Sequence, residues 1–266
     1  MTQINVVTLF PEMIESAIQY GLLGQCLKKQ ILSVQTMNPR TFTSDLHKTV
    51  DDRPFGGGDG MVMLAEPLKD AVLHLRSTNK LGRLVYLSPQ GKPWNNDLAR
   101  EFSKEEKITL VCGRYGGVDQ RWINWSGAEE VSIGDYVLNG GELGALVVIE
   151  SLSRFLPGAL GHDQSAHHDS FNLGLLEEPQ FTRPREFEGE LAPEILLGGH
   201  HAKIQDWKNS LRLLVTLFKR PDLIDQRITP QQRRRAADLF CQLSADERQV
   251  LGLSGLATEE VERWKT

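Results

Sequence analysis

Strand-like apolar runs alternate with helical segments over about the first 156 residues, and no other feature narrows the possible folds as far. The runs fall at Ile4–Phe10, Ile31–Met37, Arg83–Ser88, Ile108–Gly113 and Glu130–Gly134. Between them the spacing predicts helices over Pro11–Tyr20, Glu66–Arg76, Asn96–Lys104, Asp119–Trp125 and Glu142–Leu156. Strands that take turns with helices build a mostly parallel sheet with helices packed on it. The first 160 residues therefore read as one α/β domain.

From Pro157 to about Gly199 the periodicity lapses among prolines, glycines and acids. Residues 161–199 read as an inter-domain linker, since a long irregular stretch is unusual inside a compact domain. Beyond it the chain turns helical. Ile204, Trp207, Leu211, Leu214 and Phe218 form one apolar stripe at 3-4 spacing, the mark of an amphipathic helix. Thr229-Pro230 reads as an N-cap with a proline in the first helical position, and Ser244 with Glu247 as a capping box. Residues 200–266 thus make a small helical domain.

A net charge of −5 argues at first against a nucleic-acid partner. Its distribution says otherwise. Residues 101–200 hold 7 basic and 17 acidic side chains, whereas 201–235 hold nine basic and three acidic. Lys203, Lys208, Arg212, Arg233, Arg234 and Arg235 make that basic start to the tail a candidate phosphate-binding surface. Three scattered cysteines suit neither a disulfide framework nor a zinc site. No apolar run is long enough to span a bilayer, and the opening residues lack the layout of a secretory signal. The expectation is a cytoplasmic protein with no membrane partner.

Motifs of the common nucleotide hydrolases, dinucleotide folds, zincins and serine hydrolases are missing. Three loops stand out instead, each after a predicted strand: YLSPQG at 86–91, CGRYGG at 112–117 and SIGDYVLNGG at 132–141. Ligands of parallel sheets bind outside the carboxyl ends of strands, where glycine lets main-chain groups come close. Each loop alone is equally an ordinary strand-to-helix turn; together they suit a planar, polar ligand. A fourth glycine-rich stretch, 51–60, reads as a lid or as a surface loop. His162, His167, His168 and Asp169 form a poor tetrahedral set, so no metal ligand is assigned. On spacing alone Asp169 is a helix N-cap, and Arg154 pairs with Glu150 one turn earlier.

Nine ordered stretches resemble the bacterial tRNA (guanine-N1)-methyltransferase family: LFPEM (9–13), DDRPFGGGDGMVM (51–63), YLSPQG (86–91), CGRYGGVDQR (112–121), SIGDYVLNGGEL (132–143), SRFLPG (153–158), DSF (169–171), FTRP (181–184) and GGHHAKIQDWK (198–208). The resemblance covers almost the whole chain. It implies a SPOUT-type α/β domain whose parallel sheet ends in a deep trefoil knot, then a linker and a small α-helical domain. It also implies a homodimer with each active site at the subunit interface, and transfer of a methyl group from S-adenosylmethionine to N1 of the tRNA guanine at position 37. The donor's expected wall is Tyr86, Leu87, Pro89, Gly113, Gly117, Ile133, Gly134, Asp135, Tyr136, Val137, Leu138, Gly140 and Gly141. Asp169 matches the family's general base and Arg154 the residue that stabilises charge on the guanine O6.

The chain departs from the family pattern in places. Gly116 stands where the family has a glutamate linked to magnesium, which puts magnesium in doubt here. Gln120 replaces a second acid, Gly144 a proline, Phe55 a tyrosine and Asp59 a small residue or proline. Two other readings keep the fold: a knotted methyltransferase for another RNA base, and a non-catalytic RNA-binding or assembly factor.

Overall fold

The computed structural model describes residues 1–161, 169–172, 174–224 and 228–264. The chain divides into two compact units, Met1–Ala166 and His167–Thr266. Elements of the first unit run β1 (Thr2–Val7), α1 (Pro11–Ala17), α2 (Gly21–Lys28), β2 (Leu32–Met37), β3 (Asp51–Asp52), β4 (Val62–Met63), α3 (Ala65–Ser77), β5 (Arg83–Pro93), α4 (Asn96–Phe102), β6 (Lys107–Cys112), α5 (Gln120–Ser126), β7 (Glu129–Ser132) and α6 (Glu142–Ser153).

Five strands form one sheet in the order β2-β1-β6-β5-β7, and every pairing in it is parallel. Alternate side chains serve opposite faces, as the pleat requires. Ile4, Val6, Val85, Leu87, Ile108, Leu110 and Val131 pack with Ile14, Leu23, Phe102, Val148 and Leu152, so α1, α2, α4 and α6 cover one face. Val7, Leu84, Tyr86 and Val111 pack with Leu68, Val72, Leu75 and Trp122, which places α3 and α5 on the other. Burial on both faces explains why β1, β5 and β6 read as apolar runs.

Local chemistry sets several helix ends. The Asn95 side chain accepts from Leu98 N and caps α4. Asp119 caps α5, which ends at Gly127 in the left-handed region, φ +66°. Helix α2 was not anticipated. It is short, and Leu23 and Cys26 are the only large side chains it buries, which is too little for a period to show. The β3–β4 pair has two residues a side, below what alternation can reveal.

In the second unit, α7 (His201–Lys219), α8 (Pro230–Gln242), α9 (Ala245–Val250) and α10 (Thr258–Glu262) surround Trp207, Leu211, Leu214, Ala237 and Phe240. The expected stripe of α7 is the buried one. Two capping boxes form: Thr229 with Gln232, and Ser244 with Glu247. The stretch read as a linker differs from expectation. Leu175, Leu176, Phe181, Ile195 and Leu196 pack against the helical core, and Leu176 N donates to Thr216 Oγ1 at 2.9 Å. Its apolar side chains are buried from irregular backbone, so no period announces them. A two-strand pair, β8 (Glu186–Phe187) with β9 (Glu190–Leu191), lies in the same stretch.

Candidate active site

The three glycine-bearing stretches converge around a cavity of about 350 Å³, inside the usual range for small-molecule sites. Residues 112–117 and 132–141 leave the carboxyl ends of β6 and β7. Residues 86–91 lie within β5, at its shift in pairing, and are not the loop after a strand that the sequence suggested. Tyr86, Leu87, Pro89, Gly113, Gly117, Ile133, Gly134, Tyr136, Val137, Leu138, Gly140 and Gly141 all line it. Asp135 is exposed and does not. Ser88, Gln90, Arg114, Tyr115, Gly116, Val131, Ser132, Asn139 and Gly144 complete the wall. Much of that wall is main chain, which offers N–H donors and C=O acceptors to a polar ligand.

Close approach of backbone to backbone explains the glycines best at Gly141. Its N donates to Gly113 O at 2.9 Å, and a Cβ there would lie 2.7 Å from Cys112 Cα. Any other residue would push the third loop off the end of β6. Arg114 and Gly140 continue the contact as an antiparallel bridge. Tyr86 stands edge-on to Trp122, with ring centroids 6.3 Å apart. Burial pushes its hydroxyl pKa up, so the phenol stays protonated and a donor.

One buried charge pair ties these loops together. Glu142, in the first turn of α6, is 1% exposed; Arg114 Nε lies 3.0 Å from its Oε2. The contact is an ion pair without an aligned hydrogen bond. Thr8 Oγ1 donates to the other carboxylate oxygen at 2.7 Å, and the helix N-terminus favours the negative charge. Arg114 Nη1 also donates to Asn139 O at 3.3 Å, and the guanidinium lies 4.3 Å over the Phe10 ring. The LFPEM stretch thus meets the second loop at Arg114. Burial, with the charge of Glu142 adding to it, holds the Cys112 thiol well above its ordinary pKa. Cys112 is therefore an inert core thiol and not a nucleophile.

The β3–β4 hairpin docks on the second loop through main chain alone. Gly116 N donates to Met61 O at 2.8 Å, Met63 N to Gly117 O at 2.9 Å, and Asp119 N to Met63 O at 3.1 Å. A Cβ at position 116 would meet Met61 O at 3.0 Å, so any side chain there asks the hairpin to give way slightly.

Arg154 is exposed at the C-cap of α6, where a cation complements the helix dipole. Asp169 is half-buried and belongs to the second unit. Asn172 N donates to its carbonyl at 3.4 Å. Residues 169–172 are bend and turn, not the helix that an N-cap reading requires. His162, His167 and His168 lie outside the described residues, and among the described ones no three His, Cys, Asp or Glu side chains cluster as metal ligands.

The basic start of the tail divides in two. Lys203, Arg234 and Arg235 are exposed and Arg233 is half-buried. Arg212 is 6% exposed and bonds through Nε to the buried carboxylate of Glu178, which corrects its reading as a phosphate contact. Lys208 Nζ lies 2.9 Å from the same carboxylate and is similarly engaged. The spacing of Arg212 one residue past Leu211 was the signal, since that edge of the stripe is enclosed. Among the described residues, no helix is long and apolar enough to cross a membrane.

Comparison with known proteins matches this arrangement to a family. The chain is 46% identical over 233 residues to the tRNA (guanine-N(1)-)-methyltransferase of Haemophilus influenzae (strain 86-028NP), covering 87% of this chain and 95% of that protein. It is 45% identical over 246 residues to that of Shewanella halifaxensis (strain HAW-EB4), covering 92% and 99%. It is 46% identical over 237 residues to that of Escherichia coli O139:H28, covering 88% and 93%. Residues 2–226 match the family described as tRNA (Guanine-1)-methyltransferase TrmD, and the chain belongs to that family.

Proposed function

We propose that this protein transfers a methyl group from S-adenosylmethionine to N1 of the guanine at tRNA position 37. The observation that carries the reading is the convergence of three glycine-bearing stretches on one cavity in a chain of this family. The cavity suits the donor. Exposed main chain meets a polar purine, while Leu87, Ile133, Val137 and Leu138 offer apolar contact. S-adenosylmethionine supplies a methyl group on a positively charged sulfur, so no covalent enzyme intermediate is needed.

The chain's own residues handle the proton and the charge. Guanine N1 carries a proton and is a poor nucleophile until that proton leaves. Asp169 accepts it on a carboxylate oxygen, a role worth about 10²–10⁴-fold in rate. Arg154 sets its guanidinium against the negative charge that develops on O6. Lys203, Arg233, Arg234 and Arg235 bind tRNA phosphates, while base contacts in the anticodon loop supply specificity. Arg154 and Asp169 come from different units, which suits a cytoplasmic homodimer whose partner subunit completes each site. The shift in pairing between Leu87 and Lys92, both opposite Val131, suits the crossing of a trefoil knot. The magnesium requirement is assigned to no residue, because Gly116 has no carboxylate to offer.

Methyl transfer from labelled S-adenosylmethionine to tRNA, with nucleoside analysis of the product, tests the reading. Wild type should yield N1-methylguanosine at position 37. Asp169→Ala should lose about 10²–10⁴-fold in turnover while binding the donor unchanged. Equal turnover in the two would remove Asp169 as the base. A wild type inactive with and without magnesium would favour a non-catalytic RNA-binding role.

A further inference from the structure

The tip of the β3–β4 hairpin carries an aromatic ring that nothing in its own chain covers. Phe55 is 97% exposed. It is the first central residue of the Pro54–Gly57 turn, closed by Gly57 N donating to Pro54 O at 3.3 Å. The second central residue, Gly56, has φ +87°, the left-handed value that a type II turn requires at that place. On its C-terminal side the tip is mostly bare main chain: a Cβ added at Gly56, Gly57, Gly58 or Gly60 would find nothing within 4 Å. Arg53, Pro54 and Asp59 are the side chains that adjoin the ring in sequence.

The hairpin is anchored beside the cavity. The hairpin base and its tip-side strand are held by the bonds from Gly116 N to Met61 O, Met63 N to Gly117 O and Asp119 N to Met63 O, and Gly116 and Gly117 both line the cavity. A water-exposed phenylalanine gains nothing for folding. A flat apolar face held near a site that must receive a base fits a different use.

We propose that Phe55 is a stacking residue for an RNA base next to the target guanine. This rests on tRNA being the substrate, as assigned above. A guanine inside a stacked loop hides its N1 edge, and drawing it out leaves a neighbouring base with one face bare. Aromatic side chains take up such faces in single-stranded recognition. The glycines that follow Phe55, Gly56 to Gly58 and Gly60, leave room for the sugar-phosphate chain to pass close to that side of the hairpin. Phe55 has no polar atom, so the contact tolerates any base and contributes to productive placement rather than to reading sequence.

The test uses the full-length protein with Phe55→Ala, Phe55→Leu, Phe55→Tyr and Phe55→Trp. The alanine and leucine variants should lose about tenfold to a hundredfold in kcat/KM for tRNA, and the tyrosine and tryptophan variants should restore it. Affinity for S-adenosylmethionine should not change. A tRNA with 2-aminopurine beside the target guanine should be quenched on binding wild type and Phe55→Trp, and not Phe55→Ala. Leucine performing as well as phenylalanine would overturn stacking. A shift in sedimentation of Phe55→Ala would place the ring in a protein interface instead. The fluorescence measurement needs binding alone, so it reads the stack even if no methyl group is transferred, a result that would count against the assigned reaction.

Discussion

Among the described residues, each unit holds an almost fully buried glutamate paired with an arginine, and the two pairs do different things. Arg114 and Glu142 lie at the wall of the cavity and join two loops that follow different strands. Arg212 and Glu178 lie in the helical unit, where they fasten an irregular stretch to α7 with help from Lys208. Both glutamates are almost fully enclosed. A buried ion pair is weak evidence of stability in itself, because desolvation offsets much of the attraction. Its location decides what its loss will disturb. At the cavity it sets the shape of a ligand site; in the helical unit it holds a non-periodic segment in register.

The largest effect should come from Glu178→Ala, which removes the buried carboxylate that Arg212 and Lys208 share. Breaking one side of a buried pair costs about 3–5 kcal/mol. Urea unfolding should show that loss, while donor binding in the first unit stays within twofold. Loss of donor affinity to the same degree would mean that the two pairs are not separate in their roles.

Arg114→Met should act the other way round. It leaves Glu142 enclosed with a hydrogen bond from Thr8 but without the guanidinium, and it removes the side-chain tie between the second loop and the third. The donor's dissociation constant, measured by calorimetry, should rise about tenfold, or about 1.4 kcal/mol. Adding Glu142→Gln should recover part of the loss, because the uncompensated charge is then gone. An unchanged affinity would show that main-chain contacts such as Gly141 N to Gly113 O hold the loops without the pair.

Acid gives the smallest and broadest test. Burial pushes the Glu178 carboxyl up, but hydrogen bonds from Lys208 and Arg212 outweigh it and hold the pKa below the ordinary 4.5. In the first unit Arg83, then Lys92, hold Glu129 down at about 2 against the same ordinary value. A carboxylate whose folded pKa is depressed stabilises fully above its unfolded pKa and loses that contribution as pH falls through the folded one. The first unit should therefore weaken between pH 4.5 and about 2, and the second as pH falls below the ordinary carboxylate range. Glu129 is 35% exposed, so solvent screens its share. Glu129→Gln should flatten the first unit's acid slope slightly and leave the second unit's alone. An unchanged slope would remove Glu129 from the account.

What could be read in advance follows the range of the interactions involved. Strands β1, β5 and β6 were legible because burial on both faces leaves apolar runs; β2 and β7, which contain Ser33, Gln35, Thr36, Glu129 and Glu130, were legible from shorter ones. The N-cap at Thr229 and the capping box at Ser244 were legible because each is complete within a few residues, whereas Gln232 as the partner of Thr229 appeared only in the structure. In the second and third loops the cavity wall was legible as glycines placed directly after strands. Helix α2, the β3–β4 docking and the packing of 169–199 were not, since each depends on partners far away in the chain. Arg212 belongs with them: its neighbour in sequence is a stripe residue, but its ion partner lies 34 positions earlier.

The sequence by itself determined the α/β class, the helical tail and the family resemblance, and through that resemblance 12 of the 21 residues that line the cavity. Period, caps and turn residues are local, and a local pattern is complete in the chain. Only the tertiary structure decided that Phe10 and Met13 of LFPEM meet Arg114 of the second loop, that Glu142 is enclosed beside Arg114, and that two of the tail's basic residues serve Glu178. It also showed that Phe55, at the tip of a hairpin anchored beside the cavity, faces outward. Burial and charge pairing are properties of proximity, and proximity between distant residues exists only once the chain has folded.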